Sequence, residues 1–220
     1  MSMSLRMLTA SWLAVVLIGL LGFKLVHDTD IFWQVKLGQI MLEEGQIPIA
    51  DRFTYTHAGE PVPPIYCLAQ ILLAVLYKLG GWHLARAGHQ LALVGSLVAA
   101  AATCRRDRTS HFSVIVAMTI GFVLMLSNAD FRPQSFGVLG FAFFLALARS
   151  GAPFWFKLLV APAILVIWQN MHPSVLMGAV AVGGLAVADY HDRRHIHVNP
   201  WEQVILALLA FVSQFATPLG

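Results

Sequence analysis

Charge is scarce in this sequence. Only 11% of its 220 residues are Asp, Glu, Lys or Arg, against about 25% in a soluble domain. With 58% hydrophobic residues, such a chain cannot cover its surface with polar groups, and most of that surface is expected to face lipid. Cysteine is scarcer still. Two residues, Cys67 and Cys104, exclude a disulfide framework, and neither has a His or Cys partner at metal-ligand spacing. Local catalytic signatures are missing as well: no phosphate-binding Walker loop, dinucleotide fingerprint, G-x-S-x-G elbow or H-E-x-x-H zinc helix occurs. Internal repeats and low-complexity tracts are absent. The net charge of +3 does not point to nucleic acid, because the basic residues sit in short clusters between apolar runs rather than on one soluble face.

Those apolar runs predict an all-α, polytopic transmembrane helix bundle, a single membrane domain over residues 1–220 with about seven spans. The first is 7–26, read as a retained span rather than a cleaved signal. The others fall at about 82–103, 112–127, 134–148, 154–168, 174–188 and 204–216. Segment 65–79 is apolar but short, and Gln70 interrupts it. If it spans, then Arg105, Arg106, Arg108, Arg149, Lys157, Arg193 and Arg194 all fall outside. If it stays on the surface, they fall inside with Arg6, as the positive-inside bias requires. The N-terminus is therefore expected in the cytoplasm, with 65–79 a juxtamembrane helix turned at Gly80-Gly81 into the next span. Pro162 is expected to kink its helix, and Gly178, Gly183 and Gly184 to permit close helix contacts.

The long first outer loop, 27–81, holds six of the eleven acidic residues (Asp28, Asp30, Glu43, Glu44, Asp51, Glu60). A helix over 31–44 is expected, capped by Thr29 or Asp30 and ended by Gly45 and Pro48. Trp33, Leu37, Ile40 and Met41 form its apolar stripe, with Gln34 away from it, so it should lie in the interface plane. Asp28 and Asp30 stand where the first span leaves the membrane. A carboxylate there suits a general base or a divalent-cation ligand, or simply a helix cap. Arg132, which opens an outer span, suits bidentate phosphate recognition or pairing with a carboxylate such as Asp28, Asp30 or Asp130, or snorkelling. Asn170 and His172 end another span on the same side, placed for a sugar hydroxyl, a phosphate or a proton, or for capping before Pro173. His191, His195 and His197 lie among charges in an inner loop and read as a solvated turn.

Several blocks together resemble a known group. They are Asp28/Asp30, Phe32-Trp33, Gly38, Gly45-Gln46-Ile47-Pro48 and Asp51-Arg52-Phe53-Thr54-Tyr55-Thr56, followed by Leu68-Ala69-Gln70, Tyr77-Lys78-Leu79-Gly80-Gly81, Arg132-Pro133-Gln134 and the Trp-x-Asn-x-His of 168–172. This order is similar to bacterial multi-spanning proteins that resemble the GT-C glycosyltransferases, the superfamily of protein O-mannosyltransferases, over their N-terminal part. The resemblance implies transfer of a sugar from a polyprenyl-phosphate donor to an acceptor on the extracytoplasmic face of the bacterial inner membrane. It implies catalysis at Asp28 or Asp30, and substrate contacts from Arg132, Gln134, Asn170, His172, Trp33, Gln34 and Asp51. A divalent cation is a possible cofactor, with Asp28 and Asp30 its candidate ligands.

Two positions differ from that group. Trp33-Gln34 stands where Trp-His is usual, and Tyr66-Cys67 where Glu-Trp is often found. They motivate a second reading, a non-catalytic binding or assembly subunit with the same fold, or an N-terminal half that needs a partner or a further C-terminal region. A small transporter ranks third, since Arg86 is nearly the only charge near a mid-span.

Overall fold

The computed structural model describes residues 29–106, 111–128, 131–191 and 198–217, together with Val16 and Leu20. Apart from those two residues the expected first span, 7–26, lies outside the described residues, as do Asp28, His195 and His197. Among the described residues the chain is all-helical. The α-helices are α1 (Asp30–Glu44), α2 (Cys67–Arg106), α3 (His111–Asn128), α4 (Gln134–Ala148), α5 (Phe154–Met171), α6 (Val175–His191) and α7 (Pro200–Val212), and a 3-10 turn, Ser213–Phe215, follows. Two of them, over Cys67–Thr103 and Phe154–Met171, are long and apolar enough to cross a membrane.

Helix α2 is two helices joined at a break. Gly80 (φ −154°, ψ 23°) and Gly81 (φ 62°, ψ −158°) leave helical geometry, and the positive φ of Gly81 is cheap only for glycine. Leu76 lies four residues before Gly80 and its Cδ1 would come within 2.6 Å of a Cβ added at Gly88. In a straight helix those residues stand about 18 Å apart, so the limbs 67–79 and 82–106 fold back on each other. The turn expected at Gly80-Gly81 is therefore present. The limb 82–103 alone, at 1.5 Å per residue, is about 33 Å long.

Helix α1 ends as expected, at Gly45 in the left-handed conformation, whose N–H donates to Met41 O. Its start and its buried face do not follow expectation. Thr29 makes no side-chain cap, and the buried residues are Ile31, Gln34, Val35, Gly38 and Met41; Trp33 is exposed. The cause is Gly38. A Cβ there would stand 2.0 Å from the backbone O of Gln70 and 2.8 Å from Cβ of Ala74, so only glycine lets α1 press its backbone onto the first limb of α2. That approach buries Gln34 opposite Gln70, whose Nε2 donates to Gln34 Oε1 at 2.6 Å. The bond offsets part of the cost of burying the two amides.

Helices α4 to α7 alternate in direction around a core built from Phe144, Ala161, Leu165, Trp168, Val182 and Leu206, among others. Trp168 is its centre. Its ring occupies space that a Cβ at Gly140 (2.5 Å) or Gly178 (2.8 Å) would fill, while its Nε1 donates to Ser174 Oγ at 2.9 Å. Gly178 thus permits close contact as expected. Gly183 and Gly184 do not, since a Cβ at the first meets only Ala207 at 3.8 Å and at the second nothing. Pro162 lies within α5. Outward faces of these helices are apolar too, with Phe143, Leu159, Ile167, Val180, Val187 and Phe211 all exposed.

Because α4 to α7 alternate, the bundle has an Arg149 end and an Arg132 end. At the Arg149 end, Nη1 of Arg149 meets Asp189 Oδ2 at 2.5 Å, and Gln203 Nε2 donates to that same oxygen at 2.7 Å. Beside them Lys157, 2% exposed, pairs with Glu202 at 3.0 Å. The sequence places Arg149 and Lys157 among the inner basic residues, and the packing of four helices largely buries and pairs them.

Candidate functional site

The Arg132 end is assembled by a second core. Ile31 and Val35 of α1, Ala69, Leu73, Ala85 and Ala92 of α2, and Phe131 and Phe136 pack into one apolar cluster. Ile31 and Phe131 are chain neighbours of Asp30 and Arg132, so burying that pair draws the polar pair together. Arg132 Nη2 lies 3.8 Å from Asp30 Oδ2, with both side chains about half exposed (42% and 51%). At that distance and exposure the pair adds little stability, yet both groups stay reachable from solvent.

Beside the pair lies a pocket of about 240 Å³ lined by Ile31, Phe32, Trp82, His83, Arg86 and Phe131. Its walls are an aromatic series: Phe32 meets Trp82 edge-on at 5.0 Å, and Trp82 meets Phe131 at 6.5 Å. His89, buried, packs on Phe131 at 5.2 Å. From sequence alone His83 and His89 show no ligand geometry, and Trp82 reads only as the start of a span. Their signal was spacing: His83, Arg86 and His89, at i, i+3 and i+6, share one face of the limb that carries Trp82.

The other expected residues divide into distinct places. Gln34 is spent in its buried bond to Gln70. Trp33 and Asp51 line a separate pocket, of about 320 Å³, between α1 and the 47–65 segment. Phe32 and Trp33 are about 100° apart around α1, so the two pockets open on different flanks of one helix. Asp51 closes its own turn, accepting from the Thr54 hydroxyl at 2.6 Å and from the N–H groups of Thr54 and Phe53. The Thr54 hydroxyl, then these backbone donors, hold its pKa below the usual aspartate value. Gln134 is the exposed first residue of α4. Asn170 Nδ2 donates to Val166 O and to Ala216 O, both at 2.9 Å. It ties α5 to the segment after α7 and is no ready ligand contact.

His172 has its own setting. Its ring lies 5.4 Å from that of Tyr66, tilted 30°, and packs where a Cβ at Gly137 would come within 3.1 Å of Nδ1. That Nδ1 is buried and has no hydrogen-bond partner. Burial lowers the pKa of His172, so the ring is held neutral. Tyr66 meets it from a left-handed backbone (φ 67°), a conformation that costs a bulky residue about 1 kcal/mol or more. Two further buried oxygens lack partners, Gln169 Oε1 and Gln203 Oε1.

Among the described residues no three His, Cys, Asp or Glu side chains gather as metal ligands. Asp30 has a guanidinium as its close counter-charge instead. No family model, curated protein or solved structure matches the chain.

Proposed function

We propose that the chain is a polytopic protein of the bacterial inner membrane, N-terminus in the cytoplasm. In this reading it is a GT-C-like glycosyltransferase, or the N-terminal half of one, acting at the extracytoplasmic face on a polyprenyl-phosphate sugar. The membrane placement is supported by polarity turned inside out. Gln34, Gln70, Lys157, Gln169 and Gln203 are buried, while large apolar side chains cover the outward faces of α4 to α7. Helices apolar all round belong in a large core or in lipid, and water does not tolerate apolar surface on that scale.

The activity is supported by one observation, the meeting of Asp30 and Arg132 beside an aromatic pocket that also carries Arg86. In the reaction a hydroxyl oxygen of the acceptor attacks the sugar's anomeric carbon. The bond from that carbon to the phosphate oxygen breaks, and the electron pair leaves with the phosphate. Asp30 takes the acceptor's proton as general base, and Arg132 offsets the charge growing on the lipid phosphate. Aromatic walls supply flat apolar surfaces against which a sugar ring can lie. Asp28 stays in the proposal as the alternative base.

A second reading has its own support. Gln34, at a position where the resembling group carries His, is consumed in packing against Gln70. A subunit that kept the fold and lost the chemistry would look this way. Turnover of polyprenyl-phosphate sugars by the wild type and by Asp28→Asn, Asp30→Asn and Arg132→Ala separates the two. Loss of about 10²-fold or more in Arg132→Ala and in one Asp variant supports transfer. Equal turnover in all four removes the site assignment, and a stoichiometric partner without donor binding favours the subunit.

A further inference from the structure

We propose that the pocket of about 320 Å³ between α1 and the 47–65 segment holds the acyl chain of a bilayer lipid. The inference rests on the membrane placement proposed above and is independent of the transfer chemistry. Trp33, Leu37, Met41, Pro48, Val62 and Pro63 form the walls. The volume is that of a small-ligand site.

The polar groups around the pocket are already used. Arg52 Nη1 is bonded to Glu44 Oε1 at 2.6 Å, and Asp51 accepts three hydrogen bonds from its own turn. At the floor, Gln70 donates to Gln34. The one cation lining the pocket, Arg52, already faces Glu44 as its counter-charge, so the apolar walls carry most of the recognition. A headgroup-selected carrier needs such a charge; a bulk phospholipid, present in excess around the mouth, does not.

The surroundings of the mouth agree. Ile47, Ile49, Phe53, Val62 and Ile65 are all exposed around it, Ile49 at 63%. In water this collar is a liability. At the headgroup boundary it is an anchor, since apolar side chains at that boundary settle about 5–10 Å into the layer. A chain rising from the adjacent leaflet meets the pocket at that depth. Once seated, it pins the 47–65 segment to α1, the helix that carries Asp30.

The protein is reconstituted in nanodiscs whose phospholipid bears a diazirine near the end of one acyl chain, irradiated, and the labelled residues are mapped by mass spectrometry. Label is expected on the outward faces of α4 to α7 and within 37–41 and 62–67. Leu37→Trp and Val62→Trp fill the pocket from opposite walls, and each should abolish label at the pocket while leaving the helix label intact. Helix label without pocket label in the wild type overturns the proposal and leaves the membrane placement standing. Label at neither place overturns both. Displacement of pocket label by unlabelled polyprenyl phosphate would reassign the pocket to the carrier's tail, against the expectation of no change.

Discussion

The two ends of the α4–α7 bundle each pair an arginine with an aspartate, and the pairs do different work. At one end Arg149 and Asp189 meet at 2.5 Å with 11% and 18% of their side chains exposed. Gln203 shares the carboxylate, and Lys157–Glu202 lies alongside. At the other end Arg132 and Asp30 stand 3.8 Å apart, about half exposed, between an aromatic pocket and solvent. One end spends its charges on joining helices; the other keeps them where a ligand can reach. The same residue types thus mean opposite things, and depth decides which.

Removing a single charge from each end should make that contrast visible. Glu202→Ala leaves Lys157 buried without a counter-charge, which costs about 3–5 kcal/mol, read as a large fall in thermal midpoint in detergent or nanodiscs. Lys157→Met combined with Glu202→Leu removes both charges and should recover most of that loss. Asp30→Asn should cost under about 1 kcal/mol, as exposed pairs do. A fall for Asp30→Asn as large as that for Glu202→Ala would end the distinction between a structural end and a reachable one.

The second prediction concerns how α1 delivers Asp30. In Gly38→Ala the new Cβ meets the Gln70 carbonyl at 2.0 Å, and backbone cannot give way as a side chain does. Helix α1 must lift off α2, at a cost of about 1–3 kcal/mol. The Asp30–Arg132 contact and the buried Gln34–Gln70 bond should go with it, while the Arg149 end stays intact. Cross-linking between cysteines placed at 30 and 132, and at 149 and 189, would report each end separately. Loss at both ends would show that α1 braces the whole bundle.

What the sequence disclosed follows the same division. Helix positions and the break at Gly80-Gly81 were readable, because apolar runs, Gly45 and paired glycines act through local rules. Asp30 and Arg132 were readable as candidates because a charge beside an apolar run is conspicuous. The buried face of α1 was not, because a backbone contact at Gly38 overrode the stripe of Trp33, Leu37, Ile40 and Met41. The bonds of Lys157 to Glu202 and Arg149 to Asp189 join residues 45 and 40 positions apart, and no local pattern links them. Asn170 and Asp51 carry the polar groups a ligand site needs. Only their partners reveal that those groups are already engaged.

The smallest expected effect is a pH dependence at the reachable end. His172 is neutral because burial lowers its pKa, and its Nδ1 has no partner that would welcome a proton. The unfolded chain takes up that proton near the ordinary histidine value of about 6.5, before the folded one does. A depressed folded-state pKa means that the contribution of the neutral ring is fully present above about 6.5 and is lost as pH falls below it through the folded value. Thermal midpoints taken from pH 8 down to pH 5 should therefore decline, and His172→Phe, which keeps a ring against Tyr66, should flatten the decline. An unchanged slope in His172→Phe would place the titrating group elsewhere and remove the argument that His172 is held neutral.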